Sequence, residues 1–564
     1  MSQKLTSLTD KIWNICNSET DSHSNKDILQ ILAENRRISD LKNFVNLPVY
    51  DENFDANTLI DMEKAAQRIL KAINSNEKIV IMGDYDVDGI SSTSIFLNFL
   101  NHLKVPVNFV IPNRISGYGL SIENIEKYKD HLIIAVDCGS SALEELAYAQ
   151  KHSIDIVVID HHTMETIPYA CALVNPHRPD EGELYKNLCA TGLVFLCCIR
   201  LNQLLKQSEF FKKNNIPEIN VLNFLDLVAL ATVCDVVPLV GLNRIFVKDG
   251  LNLIKKRQSI GIDALVALNK NHDITSETIA YFFGPRLNAA GRIDSADIGV
   301  KLLTTQNPIE ARQIACRLDE LNKERQKLET EMANEAVEMV DPSQNFICVA
   351  QKNWHLGIIG IVAGRLREKF NRPSIVIAID HETGIGKASC RSTDDVDISS
   401  IIKKAIPEKL IISGGGHALA AGFSIHSEKL DDFKKFLEKE ITSVPQPHEF
   451  YADCIIELKE INLEFFKNIS QLEPFGMANR APKFVLKNLK TSFRKIVGEK
   501  HISLILKDSN NNSIKAISFK SVGTPLGDLL MTWDKTFSAL GSLCISEWNG
   551  NRYINFQLDD IAEV

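Results

Sequence analysis

The chain has 564 residues, of which 24% are charged and 45% hydrophobic, and a formal net charge of -9. It is too long for one ordinary core and too apolar to be largely disordered, so three or four compact units are expected. No apolar run reaches membrane-span length, and MSQKLTSLTDKIWN lacks the features of a secretory signal, so a cytoplasmic protein without a membrane partner is expected. The cysteines are scattered, form no CxxC pair and read as reduced core residues. A negative total does not exclude nucleic acid, because clustered metal-binding carboxylates bias the sum and binding depends on local patches.

Residues 1–45 are polar and helix-compatible without a motif, and are expected to form an N-terminal extension. From residue 78, short apolar runs end in polar or acidic residues and helical segments follow: KIVIMGDYDVDG, VPVNFVIPNR, HLIIAVDCGS and SIDIVVIDHH. That alternation predicts an α/β domain with a doubly wound parallel sheet, assigned to residues 46–305. Residues 310–340 carry Ile314, Leu318, Leu321, Leu328 and Met332 on one stripe, with charges of both signs elsewhere. One helix of roughly 45 Å is expected there. Its length and charge favour a spacer between two domains, within a connecting segment 306–340. Residues 341–445 return to α/β patterning and end in IISGGGHALAAGF, while 446–564 alternate short strand-like runs with turns, as a small β-barrel does.

The strongest constellation is Asp84, Asp86 and Asp88 in GDYDVDG, with Asp137, the run Asp160-His161-His162, and Asp235 in ALATVCDVVPL. Three of these groups follow predicted parallel strands, whose carboxyl ends are where ligand sites gather. A lone Asp there more often caps a helix, and for Asp88 alone that reading suffices. So many carboxylates together need cations, and an oxygen-rich set with one or two imidazoles suits Mn2+ or Mg2+. Two ions are the natural number, since a pair activates water for in-line attack and stabilises the departing oxygen.

Other segments suggest phosphate recognition. Gly414, Gly415 and Gly416 allow close backbone approach, His417 adds a donor, and the following ALAAG resembles a helix start. The same run could be a close-packing device. Arg286, Arg292 and Arg391 with Ser392 are candidates for phosphate contacts or for structural ion pairs. Arg114 and Tyr118 offer a cation and a stacking ring, or an anchored loop. Between Lys483 and Lys500, cations including Lys487 and Arg494 interleave with Phe484 and Phe493, a pattern that suits a single-strand grip or a solvated face.

GDYDVDG, VDCGS, IDHH and TVCDVVPL occur in the order and spacing of DHH-superfamily phosphoesterases. IPNRISGYGL, FGPRLNAAGRI, HLGIIGIVAGRL, GGGHALAAG and LEPFGMANRAP extend the resemblance to RecJ exonucleases over roughly residues 50–490. The resemblance implies a DHH catalytic domain, a DHHA1 domain and a C-terminal OB-like domain, with 5′-to-3′ exonuclease action on single-stranded DNA in recombination and repair. It implies that Asp86 and Asp88 hold separate ions, that Asp137 bridges them, and that Asp84 takes part in the first site. His161 and Asp235 complete the second site, and His162, in the Asp160-bearing motif, faces the substrate phosphate as a catalytic group. Arg391 and Ser392 would sit near the terminal phosphate and Gly415, Gly416 and His417 against substrate. A helicase and a single-strand-binding protein are compatible partners. Two departures stand out: Met82, where some relatives have His, and Arg480, where Pro is common. A small-substrate DHH phosphoesterase would lack the barrel-like tail, and a non-catalytic single-strand-binding relative would have lost metal ligands that are present here.

Overall fold

The computed structural model describes residues 3–17, 25–46, 56–112, 119–269, 273–444, 446–548 and 551–563. These form two compact units, one from the middle of the chain and one that joins its two ends.

The middle unit contains a parallel sheet of five strands, in the order Val107–Val110, Ile79–Gly83, Leu132–Val136, Ile156–Ile159 and Ala172–Val174. The strands 79–83 and 132–136 are buried at every position, as parallel strands covered on both faces must be. The chain leaves Ile79–Gly83 toward one edge and returns to its other side, so the crevice beyond Gly83 and Val136 is the topological switch point of the sheet. Asp84 and Asp137 are the next residues after these two strands.

The helix Pro308–Glu338 starts on Pro at its first turn, with the Asn307 side chain accepting from the amides of Ile309 and Glu310. Ala311, Ala315, Leu318 and Leu321 enter the core around the parallel sheet. Met332, Ala333 and Ala336 enter a second core with Trp354, Val362 and Val376. One helix is therefore shared by two hydrophobic cores, which is how it joins the two parts of the unit. Arg325 and Arg365 both reach the buried Glu329 carboxylate, at 2.7 and 2.6 Å.

A second sheet follows, in the order Ser413–His417, Ala420–His426, Ile385–Arg391, Ser374–Ile379 and Ile347–Lys352, with only the last pair parallel. This corrects one expectation. The segment after the glycine run does not begin a helix but turns and pairs back on Ser413–His417 as a strand, with Gly415 opposite Gly422. The helix preference of alanine loses here to sheet hydrogen bonds and to the burial of Ala421 and Phe423.

In the terminal unit, Lys483–Val497 pairs with Phe537–Trp548 along its first half and with His501–Lys507 along its second. His501–Lys507 pairs with Ser513–Ser518, which pairs in parallel with Asn551–Glu563, which pairs with Phe537–Trp548. Five strands thus close a ring, and register shifts near Leu486/Leu489 and Thr491/Phe493 mark where the long strand changes partner. The N-terminal residues are not an appendage: Gln3–Thr6 and Ile12–Asn17 are strands, and Ile12–Asn17 pairs in parallel with Glu449–Ile456, which extends this sheet. Trp13 is fully buried and donates from Nε1 to the buried Asp560 at 3.0 Å.

Candidate metal centre

Asp86 caps the helix Val87–His102, its Oδ1 accepting from the amides of Asp88 at 2.9 Å and Gly89 at 3.2 Å. Only glycine fits at 89, because a Cβ there would lie 2.4 Å from the carbonyl oxygen of Asp84. Asp88, 1% exposed, reaches the start of another helix, Ala190–Gln207. It accepts from the Ala190 amide at 2.8 Å, the Thr191 amide at 2.8 Å and the Thr191 hydroxyl at 2.5 Å. Capping and membership of an acidic cluster are therefore compatible in one carboxylate, held by charge-assisted bonds at a helix N-terminus.

Asp137 follows its strand in the left-handed region, φ 58°, a conformation that Asp tolerates better than most residues. Asp235 closes the helix Leu225–Cys234. The His161 Nε2 stands 3.4 Å from Asp137, 3.6 Å from Asp235 and 3.7 Å from Asp88. Ligand atoms of Asp84, Asp86 and Asp137 lie within 4.8 Å of one another, as do those of Asp88, His161 and Asp235, and those of Asp137, His161 and His162. Met82 is buried in the apolar core behind the strand, so the first of these groups is completed by Asp84.

The cluster is electrostatically incomplete as protein alone. Burial, then Asp88, Asp86, Asp84 and Asp160, holds the Asp137 carboxyl well above the ordinary carboxylate range. Burial, then Asp88 and Asp86, pushes Asp235 up to about 9. The buried Asp235 Oδ2 has no hydrogen-bond partner among the described residues. Oxygen donors with one or two imidazoles, repelling one another in a low-dielectric site, fit divalent cations such as Mn2+ or Mg2+.

Asp160 differs from the rest. It accepts from the amides of Ser140, His161 and His162 at 2.9, 2.7 and 3.2 Å, and from His162 Nδ1 at 2.7 Å. Burial would raise this carboxyl, but the bond from His162 prevails and holds it below the ordinary range. Burial likewise works against the charged imidazole, and Asp160 outweighs it and brings His162 to about 9. Asp160 is thus a positioning residue for His162, with its oxygens committed to protein donors. Sequence reasoning misses Asn175. Its side chain donates to Ser140 Oγ at 2.6 Å and to the His162 carbonyl at 2.9 Å, fixing the same loop. A signal exists, since Asn175 directly follows the strand Ala172–Val174.

Several expected phosphate contacts are engaged in protein structure. Arg286 forms an ion pair with Asp319 of the long helix at 2.7 Å and lies over the Phe282 ring. Arg292 donates to the Gly357 carbonyl at 3.1 Å, tying the FGPRLNAAGRI and HLGIIG segments together. Ser392, 1% exposed, donates its hydroxyl to the Val396 carbonyl at 2.7 Å, while Arg391 donates to the Cys390 carbonyl at 2.8 Å. Gly416 sits at φ 146° with Ala420 and Ala421 against it, a packing requirement, whereas nothing lies within 4 Å of a Cβ at Gly415. His417 is exposed at the end of its strand. In the barrel, Arg494 donates to the carbonyls of Met531 and Trp533 at 2.7 and 3.1 Å, closing the end of the helix Pro525–Thr532 rather than an open cationic face. Lys487 is half-buried on the same strand. Arg114 and Tyr118 lie outside the described residues.

Family models match three segments: the DHH family N-terminal domain over residues 78–232, the DHHA1 domain over 343–443 and the RecJ OB domain over 452–560. With an acidic cluster at the switch point of the parallel sheet, they define a DHH phosphoesterase. The single-stranded-DNA-specific exonuclease RecJ of Haemophilus influenzae is 32% identical, over 96% of this chain and 97% of its own length. That of Bacillus subtilis is 32% identical over 90% of this chain, which spans 64% of its length. Crystal structures of RecJ from Thermus thermophilus superpose with TM-scores of 0.78 with Mn2+ and 0.73 with Mg2+. Both cover 95% of this chain, at 26% and 25% identity and over 76% and 74% of the other chain. The chain belongs to the RecJ family of single-stranded-DNA-specific exonucleases. No helix among its described residues is long and apolar enough to cross a membrane.

Proposed function

We propose that this protein removes nucleotides from single-stranded DNA in the 5′-to-3′ direction, using two divalent cations, Mn2+ or Mg2+, and serves recombination and repair in the cytoplasm. The observation that carries this reading is the convergence of two donor groups, Asp84-Asp86-Asp137 and Asp88-His161-Asp235, at one sheet switch point. In it, Asp84, Asp86 and Asp137 would hold one ion, and Asp88, His161 and Asp235, with Asp137 beside them, would hold the other. Such a pair of ions supplies Lewis acidity that activates water and neutralises charge at the departing oxygen.

The protein's own groups do the rest. The Asp160–His162 bond favours the protonated imidazole and aims its other nitrogen away from Asp160, where it can donate to a phosphate oxygen. Arg391 and His417 serve as further donors, and the open space beside Gly415 admits close approach of a sugar-phosphate backbone to the strand. On the barrel, Phe493, 50% exposed, and Lys495 alternate on one side of the long strand, opposite Ile505 and Ser503, as a stacking and charge grip for unpaired bases. A helicase to open duplex and a single-strand-binding protein are the partner classes this activity calls for.

The test uses single strands labelled at either end, with duplex and RNA controls. Immediate release of a 5′ label as mononucleotide, with progressive shortening of 3′-labelled strands, supports the reading. First release of the 3′ label, or equal hydrolysis of duplex or RNA, overturns it.

A further inference from the structure

Four neighbouring strands of the parallel sheet, Ile79–Gly83, Leu132–Val136, Ile156–Ile159 and Ala172–Val174, are each followed at once by a polar residue: Asp84, Asp137, Asp160 and Asn175. The first two belong to the candidate metal donors, and the third positions His162. The fourth is an amide. A carboxylate there would add to the like charges that already raise Asp137, and when ionised it would have no proton to donate. An amide is neutral and brings two.

Both of those protons go to the loops that carry the site. Asn175 is 0% exposed, and its Nδ2 donates to the Ser140 hydroxyl at 2.6 Å and to the His162 carbonyl at 2.9 Å. Ser140, 1% exposed, ends the turn that begins at Asp137, and its own amide donates to Asp160 at 2.9 Å. One side chain therefore bonds the turn after Asp137 to the loop that holds His161 and His162. That turn needs holding: φ is 58° at Asp137 and 112° at Gly139, and such backbone persists only where its surroundings enforce it. Across the brace, His161 Nε2 stands 3.4 Å and His162 Nδ1 4.0 Å from Asp137.

A plainer role for Asn175 is local. Its Oδ1 accepts from the His177 amide at 2.7 Å, an Asx turn in which the side chain bonds the backbone two residues on. That turn uses only the oxygen, and Asp would make it equally well, so it does not account for the amide nitrogen and its two buried bonds. We propose that Asn175 is a positioning residue for the hydrolysis: through Ser140 and the His162 carbonyl it fixes the spacing between Asp137 and the two imidazoles. Its effect on the rate rests on the role proposed above for His162, whereas the brace itself does not.

The test compares two variants. Asn175→Asp keeps the size of the side chain and the turn to His177 but replaces the NH2 group with an oxygen. Ser140→Ala adds no charge, keeps the amide bond to Asp160 and removes only the hydroxyl. In the metal-free protein, the His162 ring signals in NMR, assigned against His162→Gln, should shift or broaden in both variants, and more in Asn175→Asp. With Mn2+ or Mg2+ and saturating single strand, kcat should fall about 10- to 100-fold in Asn175→Asp, the scale for loss of a supporting partner, and by a smaller factor in Ser140→Ala. KM should stay within about twofold, because a long strand is held mainly by contacts remote from this loop. A wild-type kcat in Asn175→Asp would show that the residue serves only its turn and would overturn the proposal. So would unmoved His162 signals in both folded variants, or a raised KM with kcat unchanged. If Asn175→Asp does not fold, Ser140→Ala decides by the same readouts. The NMR arm needs neither metal nor substrate, so its failure is distinct from failure of the proposed reaction.

Discussion

The Nδ1 of His162 lies 2.7 Å from Oδ1 of Asp160, a buried carboxylate that also accepts three backbone amides. Asp160 therefore orients the imidazole and contributes most to raising its pKa, with Asp235 and Asp86 adding to the effect. Asp160→Asn should return the His162 pKa from about 9 toward its ordinary value and lower kcat/KM by about 10- to 100-fold, as loss of a supporting partner does. The histidine titration by NMR and the pH–rate profile check this. An unmoved titration would show that Asp160 does not govern the ring.

The metal-free protein should lose stability as pH rises. Asp235 at about 9 and the raised Asp137 hold protons in the folded state that the unfolded chain releases near the ordinary carboxylate pKa. Their contribution is fully present below that value and is lost as pH rises through about 9. The raised His162 acts in the same sense, present below its ordinary pKa and lost as pH rises through about 9. Thermal melts in chelator from pH 5 to pH 9 should show a falling Tm, and Mn2+ or Mg2+ should flatten the slope. A rising Tm would contradict the cluster's electrostatics.

Asp137→Asn should raise the metal-free Tm above wild type at pH 8, because an amide needs neither the proton that this buried carboxyl must take up nor a charge among its like-charged neighbours. Stability and activity should then move in opposite directions. Melts of both proteins in chelator, paired with hydrolysis assays, give the comparison. A lower Tm would mean that Asp137 serves the fold more than the site.

Arg494 and Lys495 are neighbours with different expected roles. Removing the Arg494 guanidinium leaves carbonyls at a helix end without donors, so Arg494→Ala should cost about 1–3 kcal/mol of stability. Lys495→Glu should instead weaken binding of long single strands and reduce the slope of log K against log salt by somewhat less than one unit per lost contact. Denaturant unfolding and salt-titrated binding separate the two effects. The assignment fails if Arg494→Ala alone changes the salt slope.

The parallel sheet, the long helix and the acidic cluster are legible in the sequence because each is written locally: apolar runs ending in Asp, a stripe at helical spacing, carboxylates at strand ends. The strand Ile12–Asn17 is not, since its partner Glu449–Ile456 is more than four hundred residues away. The glycine run misleads because small residues fit a helix start and a tight hairpin equally, and pairing with Ala420–His426 decides. For Arg286 and Arg494 the sequence shows a cation and leaves its role open, because the Asp319 carboxylate and the helix-end carbonyls that engage them are not visible in it. The capping of a distant helix by Asp88 is invisible for the same reason.

The most direct test is hydrolysis of a 5′-labelled single strand by wild type and Asp137→Ala, with and without Mn2+ or Mg2+, after circular dichroism shows that both are folded. The account predicts rapid release of mononucleotides by wild type only with added cation, and a loss of at least a thousandfold in Asp137→Ala, the scale of removing a group that stabilises transition-state charge. Cation-independent release by wild type, or near-normal release by a folded Asp137→Ala protein, would contradict it.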